Sequence, residues 1–328
     1  MAVRTRIFSA ILKRISIPID MVDAAGLPEV RARRQQLQSS RIGRFVFGAP
    51  LEDVAIEDRV VDLDGTDIRL RIYRPAASVA TLPVATLPAA TLPAAVNFHG
   101  GGWVQGNPEQ SDWAMSRIAQ RVGAVVVSVS YRLAPEHPFP AAVDDCWAAT
   151  QWVHANAAEL GADPERLAVM GDSAGGNLAA VVALLARDAG APALRAQVLV
   201  YPGTEMYDKW PSEFRNANAA VLTSRNIRAF ARIYLGEKYG TEEFRASPIR
   251  AESHAGLAPA LIQTAELDPL LDNGSRYADK LRADGVEVTY TEYAGAIHGY
   301  LSLPGVVPVA VKALDEIVAT LTDALKPL

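Results

Sequence analysis

Within the stretch Gly171-Asp172-Ser173-Ala174-Gly175-Gly176-Asn177 a strand has to stop and a helix has to start. Few folds offer a place for such a corner. Before it, Arg166-Leu167-Ala168-Val169-Met170 is short and mostly apolar, as a strand is. After it, the small-residue run from Leu178 to Ala186 reads as a helix. Gly-x-Ser-x-Gly at a strand-to-helix turn leaves no room for side chains beside the serine, which accounts for Gly171 and Gly175. Ser173 is then held at the tip, with its hydroxyl above the sheet. The backbone N–H of Ala174 points to where negative charge would collect. Alone, the pentapeptide is weak evidence, because a glycine-rich turn capped by Asp172 or Ser173 has the same composition. Its meaning depends on partners elsewhere in the chain.

The rest of the chain supplies a frame for that corner. Residues 1 to about 50 read as helical segments with no strand alternation, an appendage closed by Gly48-Ala49-Pro50. Val54–Leu63 and Ile68–Tyr73 read as two strands joined by the turn Asp64-Gly65. Ile68, Leu70 and Ile72 share one face of the second strand, and Pro75 ends it. A unit of the form Thr-Leu-Pro-x-Ala repeats three times over residues 81–95. Proline at every fifth position blocks helix and central strand, so an extended surface loop is expected. From Ala94 onward strands and helices alternate. Strands are expected at Ala95–Phe98, Ala124–Ser130, Leu167–Met170, Leu194–Tyr201, Ala260–Ala265 and Val286–Tyr290. Helices are expected at Pro108–Val122, Ala141–Leu160 and Val307–Leu325. Residues 203–240 break the rhythm with Trp210, Phe214, Phe230 and Tyr234 in a polar helical setting. Repeated strand–helix units predict an α/β protein with a mostly parallel sheet covered by helices on both faces.

Composition excludes several functions. A net charge of −5 over 328 residues argues against a nucleic-acid binder. The single cysteine, Cys146, cannot form an internal disulfide and reads as a buried small hydrophobe. One cysteine and five histidines leave no zinc-ligand spacing, so no metal is expected. No stretch is long and apolar enough to span a membrane. Arg4, Arg6, Lys13 and Arg14 surround Ile7, Phe8, Ile11 and Ile15 at helical spacing, without the apolar core or cleavage site of a secretory signal. A cytoplasmic protein is expected. The favoured reading of residues 4–15 is a helix packing its apolar face on the protein, with peripheral attachment to a membrane surface as the alternative.

Three further sites complete the opening corner. His99-Gly100-Gly101-Gly102-Trp103 directly follows a strand, and its glycines let backbone N–H groups approach an oxyanion. His99 sits at the strand end, where its ring braces the loop. Glu266-Leu267-Asp268-Pro269-Leu270-Leu271-Asp272 follows the strand at 260–265 and offers a carboxylate to orient an imidazole. Asp268 is favoured over Asp272, which reads as the cap of the next helix. In Gly295-Ala296-Ile297-His298-Gly299-Tyr300, His298 is the one histidine of five that lies both in a glycine-flanked loop after a strand and downstream of the carboxylate. The order Ser173, Asp268, His298 is that of α/β-hydrolases, not of chymotrypsin or subtilisin.

With these motifs in view, the chain from about residue 50 resembles the hormone-sensitive-lipase-like family of α/β-hydrolase esterases. The resemblance also rests on Tyr131-Arg132-Leu133-Ala134-Pro135-Glu136-His137-Pro138-Phe139-Pro140-Ala141-Ala142 and Asp268-Pro269-Leu270. It implies an α/β-hydrolase fold over residues 51–328, with residues 1–50 and an insertion at about 203–240 forming a helical cap. It implies Ser173, Asp268 and His298 as catalytic residues and the N–H groups of Gly101, Gly102 and Ala174 as the oxyanion hole. The implied reaction is hydrolysis of a small-molecule ester by two-step acyl transfer, without cofactor. Trp103 and Tyr300, with the cap aromatics, read either as walls of an acyl or alcohol pocket or as ordinary cap packing. Amide hydrolysis, a membrane-surface lipase and a non-catalytic ligand-binding scaffold are the alternatives. Oligomeric state stays open, a homodimer included.

Overall fold

The computed structural model describes residues 2–15, 19–22, 24–75 and 91–327. Three helices come first: α1 (Val3–Ile15), α2 (Leu27–Ser39) and α3 (Arg41–Phe47). The hairpin β1 (Val54–Leu63) and β2 (Thr66–Pro75) follows. Then come β3 (Leu92–Phe98), α4 (Asp112–Ile118), β4 (Val125–Ser130), α5 (Ala141–Ala155), α6 (Ala157–Leu160), β5 (Ala162–Asp172) and α7 (Ala174–Ala189). The last elements are β6 (Leu194–Val200), α8 (Pro211–Arg215), α9 (Ser224–Leu235), β7 (Ala260–Leu267), α10 (Leu271–Ala283), β8 (Val288–Ile297) and α11 (Val309–Ala324). The strands form one sheet in the order β1-β2-β4-β3-β5-β6-β7-β8. β2 is antiparallel to both β1 and β4, and every later pairing is parallel.

The sheet is covered on both faces, and side-chain alternation along β4 shows why its sequence is nearly all valine. Val125, Val127 and Val129 pack with α5 and α7 on one face, while Val126 packs with α4 and α11 on the other. A strand buried on both sides has no polar face to alternate with. β2 behaves differently because it carries charge on one side. Ile68, Leu70 and Ile72 are buried, whereas Arg69 pairs with Glu109 and Arg71 with Asp112. Asp64 and Gly65 both take positive φ, as the two-residue turn requires. Cys146 is buried and unpaired, and burial pushes its thiol well up, so it is held as the unreactive thiol.

Several elements depart from the sequence reading. The first two repeat units, 81–90, lie outside the described residues, but the third is not loop. Leu92-Pro93-Ala94-Ala95 opens β3. Proline is tolerated because the pairing with β5 shifts register between Leu92 and Ala94, where no ladder donor is needed. The helix expected at 108–122 is a 3₁₀ turn, α4 and a π turn in succession. The helix expected at 141–160 is interrupted at Asn156. β8 begins at Val288 and runs on to Ile297. Its strand character is masked in sequence by polar residues whose partners lie on α11: Thr291 and Tyr293 both donate to the Glu316 carboxylate.

Helix α1 is oriented against the favoured expectation. Thr5 and Ser9 are 1% and 7% exposed, while Val3, Ile7 and Ile11 are 71%, 58% and 51% exposed. The Thr5 hydroxyl donates to the Val306 carbonyl at 2.9 Å. Of the apolar residues read as a packing face, Phe8 lies against the core, and Ile7 and Ile11 face outward. Among the described residues no helix is long and apolar enough to cross a membrane.

Candidate active site

The corner between β5 and α7 is as tight as its glycines require. A Cβ on Gly175 would lie 1.8 Å from the Phe98 carbonyl oxygen, and one on Gly171 would lie 2.2 Å from the Gly175 oxygen. Ser173 takes φ 56 and ψ −116, a backbone conformation that non-glycine residues rarely adopt. Its N–H donates to Val200 O and its carbonyl accepts from Asn177 and Gly203. The Asn177 amide donates to Gly203 O at 2.8 Å and to Ala246 O at 2.9 Å, tying the first turn of α7 to the neighbouring loops.

The glycine loop after β3 lies beside this corner and is braced from three sides. The Gly100 N–H donates to Asp172 Oδ1 at 2.9 Å. The Gly100 carbonyl accepts from Gln110 Nε2 and from His99 Nδ1–H. The Tyr131 hydroxyl donates to the His99 carbonyl at 2.7 Å. Gly101 and Gly102 take φ 134 and 64, and a Cβ on Gly101 would strike the Gln105 oxygen at 1.9 Å. The N–H groups of Gly101, Gly102 and Ala174 make no hydrogen bond among the described residues. Arg31 of α2 clamps the outer side of the loop. It donates to the carbonyls of Val104 and Ala134 and forks onto Glu136.

Two loops bring the remaining polar groups together. His298 follows β8 and Asp268 follows β7. His298 Nδ1 lies 2.6 Å from Asp268 Oδ2, and His298 Nε2 lies 2.9 Å from Ser173 Oγ. A carboxylate can only accept, so Nδ1 carries the proton and Nε2 is left to accept from the serine hydroxyl. Asp268 is fully buried and its other oxygen accepts from the Leu270 N–H. Asp272 is engaged elsewhere, where its carboxylate accepts from the Ser212 N–H at the start of α8. Such a relay can withdraw a proton from Ser173 while the free N–H groups hold an oxyanion. Among the described residues no three His, Cys, Asp or Glu side chains converge as a metal site requires.

A cavity of about 140 Å³ opens over Ser173 and His298. The N-terminal helices contribute Arg34 and Phe47 to its lining, and the 203–240 segment contributes Met206, Leu222 and Phe230. Trp103 also lines it, stacked on Tyr234 at 4.6 Å. Tyr300 does not. It is buried behind the site, its hydroxyl donating to Gln263 and its ring edge-on to Tyr201. Of the other aromatics read as candidate walls, Phe214 is exposed, Tyr234 lies behind Trp103 and Trp210 lines a separate hollow. Sequence reasoning missed Asp172, Gln110 and Arg31. The one available signal was Asp172 itself, a carboxylate inside an otherwise apolar strand end.

His99 is buried and stacked on Tyr131 at 4.3 Å. Burial pulls its imidazole down to about 4. The unfolded chain protonates first as pH falls, from about 6.5. The stability contributed by neutral His99 is therefore complete above about pH 6.5 and is lost as pH falls toward 4. Urea unfolding should show the native protein losing about 2–3 kcal/mol more than His99→Gln between about pH 7 and about pH 4.5. Equal losses would contradict this assignment.

An eight-stranded sheet of this order, a strained serine at a strand-to-helix corner and a Ser–His–Asp relay together define the architecture of an α/β hydrolase. A family model described as alpha/beta hydrolase fold matches residues 95–302, and the chain belongs to this family, in its hormone-sensitive-lipase-like branch. The chain is 42% identical to carboxylesterase NlhH of Mycobacterium tuberculosis over 314 residues, covering 94% of this chain and 93% of that protein. It is 34% identical to an ethyl acetate hydrolase of Pseudomonas putida, covering 90% of each. The crystal structure of a thermostable esterase from Pseudomonas putida superposes with a TM-score of 0.87 at 35% identity, over 99% of this chain and 97% of that one.

Proposed function

We propose that this protein is a serine carboxylesterase that hydrolyses short- to medium-chain acyl esters through an acyl-enzyme on Ser173. The observation that carries the reading is the unbroken relay from Asp268 through His298 to Ser173 Oγ. Similarity to a carboxylesterase and an ethyl acetate hydrolase over nine-tenths of the chain supports it. Ser173 Oγ attacks the ester carbonyl as His298 Nε2 takes its proton. The oxyanion is met by the N–H groups of Gly101, Gly102 and Ala174, each worth about 3–4 kcal/mol of barrier in comparable sites. The tetrahedral species expels the alcohol, which leaves with the proton from His298. Water then attacks the acyl-enzyme, giving its proton to His298. Ser173 departs with that proton and the acid is released. Asp268 holds the imidazole throughout and stabilises its cationic form.

Residues 1–50 and about 203–240 act as a cap that shapes the cavity, through Arg34 and Phe47 on one side and Met206, Leu222 and Phe230 on the other. The cavity is close to the roughly 150 Å³ that accommodates a benzene ring, so it fits a small acyl group. Phe230 lies over the glycine loop, its ring where a Cβ on Gly102 would be. The purified protein is expected to cleave p-nitrophenyl esters best with short to medium acyl chains, and the matching anilide far more slowly. Phe230→Ala should move the preference toward longer chains, by on the order of tenfold in relative kcat/KM. A wild-type profile that rises through palmitate, or an anilide cleaved as fast as the ester, would overturn the assignment.

A further inference from the structure

Helices α1 and α3 each turn a row of apolar side chains outward, which a helix docked on its own protein by its whole apolar face does not do. On α1 Thr5 and Ser9 are buried and Phe8 lies against the core, while the solvent face is the row Val3, Ile7 and Ile11. On α3 Val46 and Phe47 pack inward, and Ile42 and Phe45 are exposed. The two helices flank one short segment: Thr5 bonds to Val306 O, and Gly305 N bonds to Val46 O. Of the eleven exposed large apolar side chains among the described residues, seven lie within residues 1–48.

Charge follows the same division. Residues 1–48 hold nine Arg or Lys against three Asp or Glu, a net of +6. The whole chain is −5, so the remainder is −11. Arg31 is consumed by Glu136 and Arg34 by the cavity. Arg4, Arg6, Arg41 and Arg44 are exposed and interleave with the apolar row. A positively charged, apolar-studded face on an otherwise negative molecule matches an anionic bilayer surface in both respects.

We propose that α1 and α3 form a docking face for an anionic lipid surface, with Val3, Ile7, Ile11, Ile42 and Phe45 entering the headgroup layer and the arginines pairing with lipid charge. The attachment is peripheral. Because α2 and α3 also carry Arg34 and Phe47 into the cavity lining, docking would set the cap segment against the membrane plane. The face is separate from Ser173, Asp268 and His298, so its test does not depend on the esterase reading.

Flotation with vesicles settles the matter. The full chain should float with phosphatidylcholine vesicles containing about one third phosphatidylglycerol, not with pure phosphatidylcholine, and salt should release it. Ile7→Ser/Ile11→Ser and Arg4→Glu/Arg6→Glu should each weaken binding by roughly tenfold or more, with near-native circular dichroism and unchanged hydrolysis of a soluble ester. A native chain that stays unbound to the anionic vesicles, or variants that float as well as it does, would overturn the proposal. A native dimer split into monomers by Ile7→Ser/Ile11→Ser would instead assign the face to a second copy, and would also overturn it.

Discussion

Ser173→Ala is expected to lower kcat by on the order of 10⁴-fold or more, with the protein still folded. The substitution removes one atom, Oγ, and keeps the Cβ that the turn already accommodates at φ 56. The backbone bonds of the corner, to Val200 O and from Asn177 and Gly203, do not involve the hydroxyl. Thermal stability should therefore change little, and what disappears is the nucleophile. A residual rate of about 10³–10⁴ over water is expected, as in comparable sites, because the oxyanion donors and the cavity survive. Steady-state kinetics on a p-nitrophenyl ester, with circular dichroism as the folding control, reads the effect. Activity equal to the native protein would remove Ser173 from the mechanism.

Asp268→Asn should cost about 10⁴-fold in kcat with KM and fold nearly unchanged. The size of the effect follows from hydrogen-bond direction. Asp268 Oδ1 accepts from the Leu270 N–H and Oδ2 accepts from His298 Nδ1. An asparagine has one acceptor for these two donors. With its carbonyl toward Leu270, its NH₂ donates to His298 Nδ1. The imidazole proton then moves to Nε2, facing Ser173, and the base can no longer take the serine proton. With the amide reversed, two donors meet at Leu270. The first arrangement keeps the Leu270 bond and is therefore the favoured one, so the relay is broken by tautomer and not by distance. Asp272→Asn is the control: its carboxylate serves Ser212 N, so activity should persist. If Asp272→Asn were the damaging change and Asp268→Asn were silent, the orienting role would belong to the other carboxylate.

The parts of the site readable from sequence are those where chemistry and backbone geometry coincide. Gly171 and Gly175 flank a serine because a Cβ at either would meet backbone oxygen. Asp268 and His298 stand directly after strands, where open α/β sheets place their functional loops. Tyr300 was less readable: two residues beyond His298, it turns back into the core to bond Gln263, and nothing local encodes that turn. Asp172's bond to the Gly100 N–H joins positions 72 residues apart, which no periodicity announces. In the fold, β3 hides behind Pro93 and β8 behind polar residues satisfied by Glu316, so both strands read shorter than they are. The orientation of α1 is invisible for a related reason. Its spacing defines an apolar face but not whether that face turns inward, and tertiary packing turned Thr5 and Ser9 inward instead.

The central claim is the covalent intermediate on Ser173, and acyl trapping tests it most directly. A rapid acid quench during turnover of p-nitrophenyl acetate, followed by mass analysis of the digested protein, should find one acetyl group, on the peptide carrying Ser173. The same experiment on Ser173→Ala should find none. Turnover with no acylated peptide, or with the acyl group on another residue, would contradict the account.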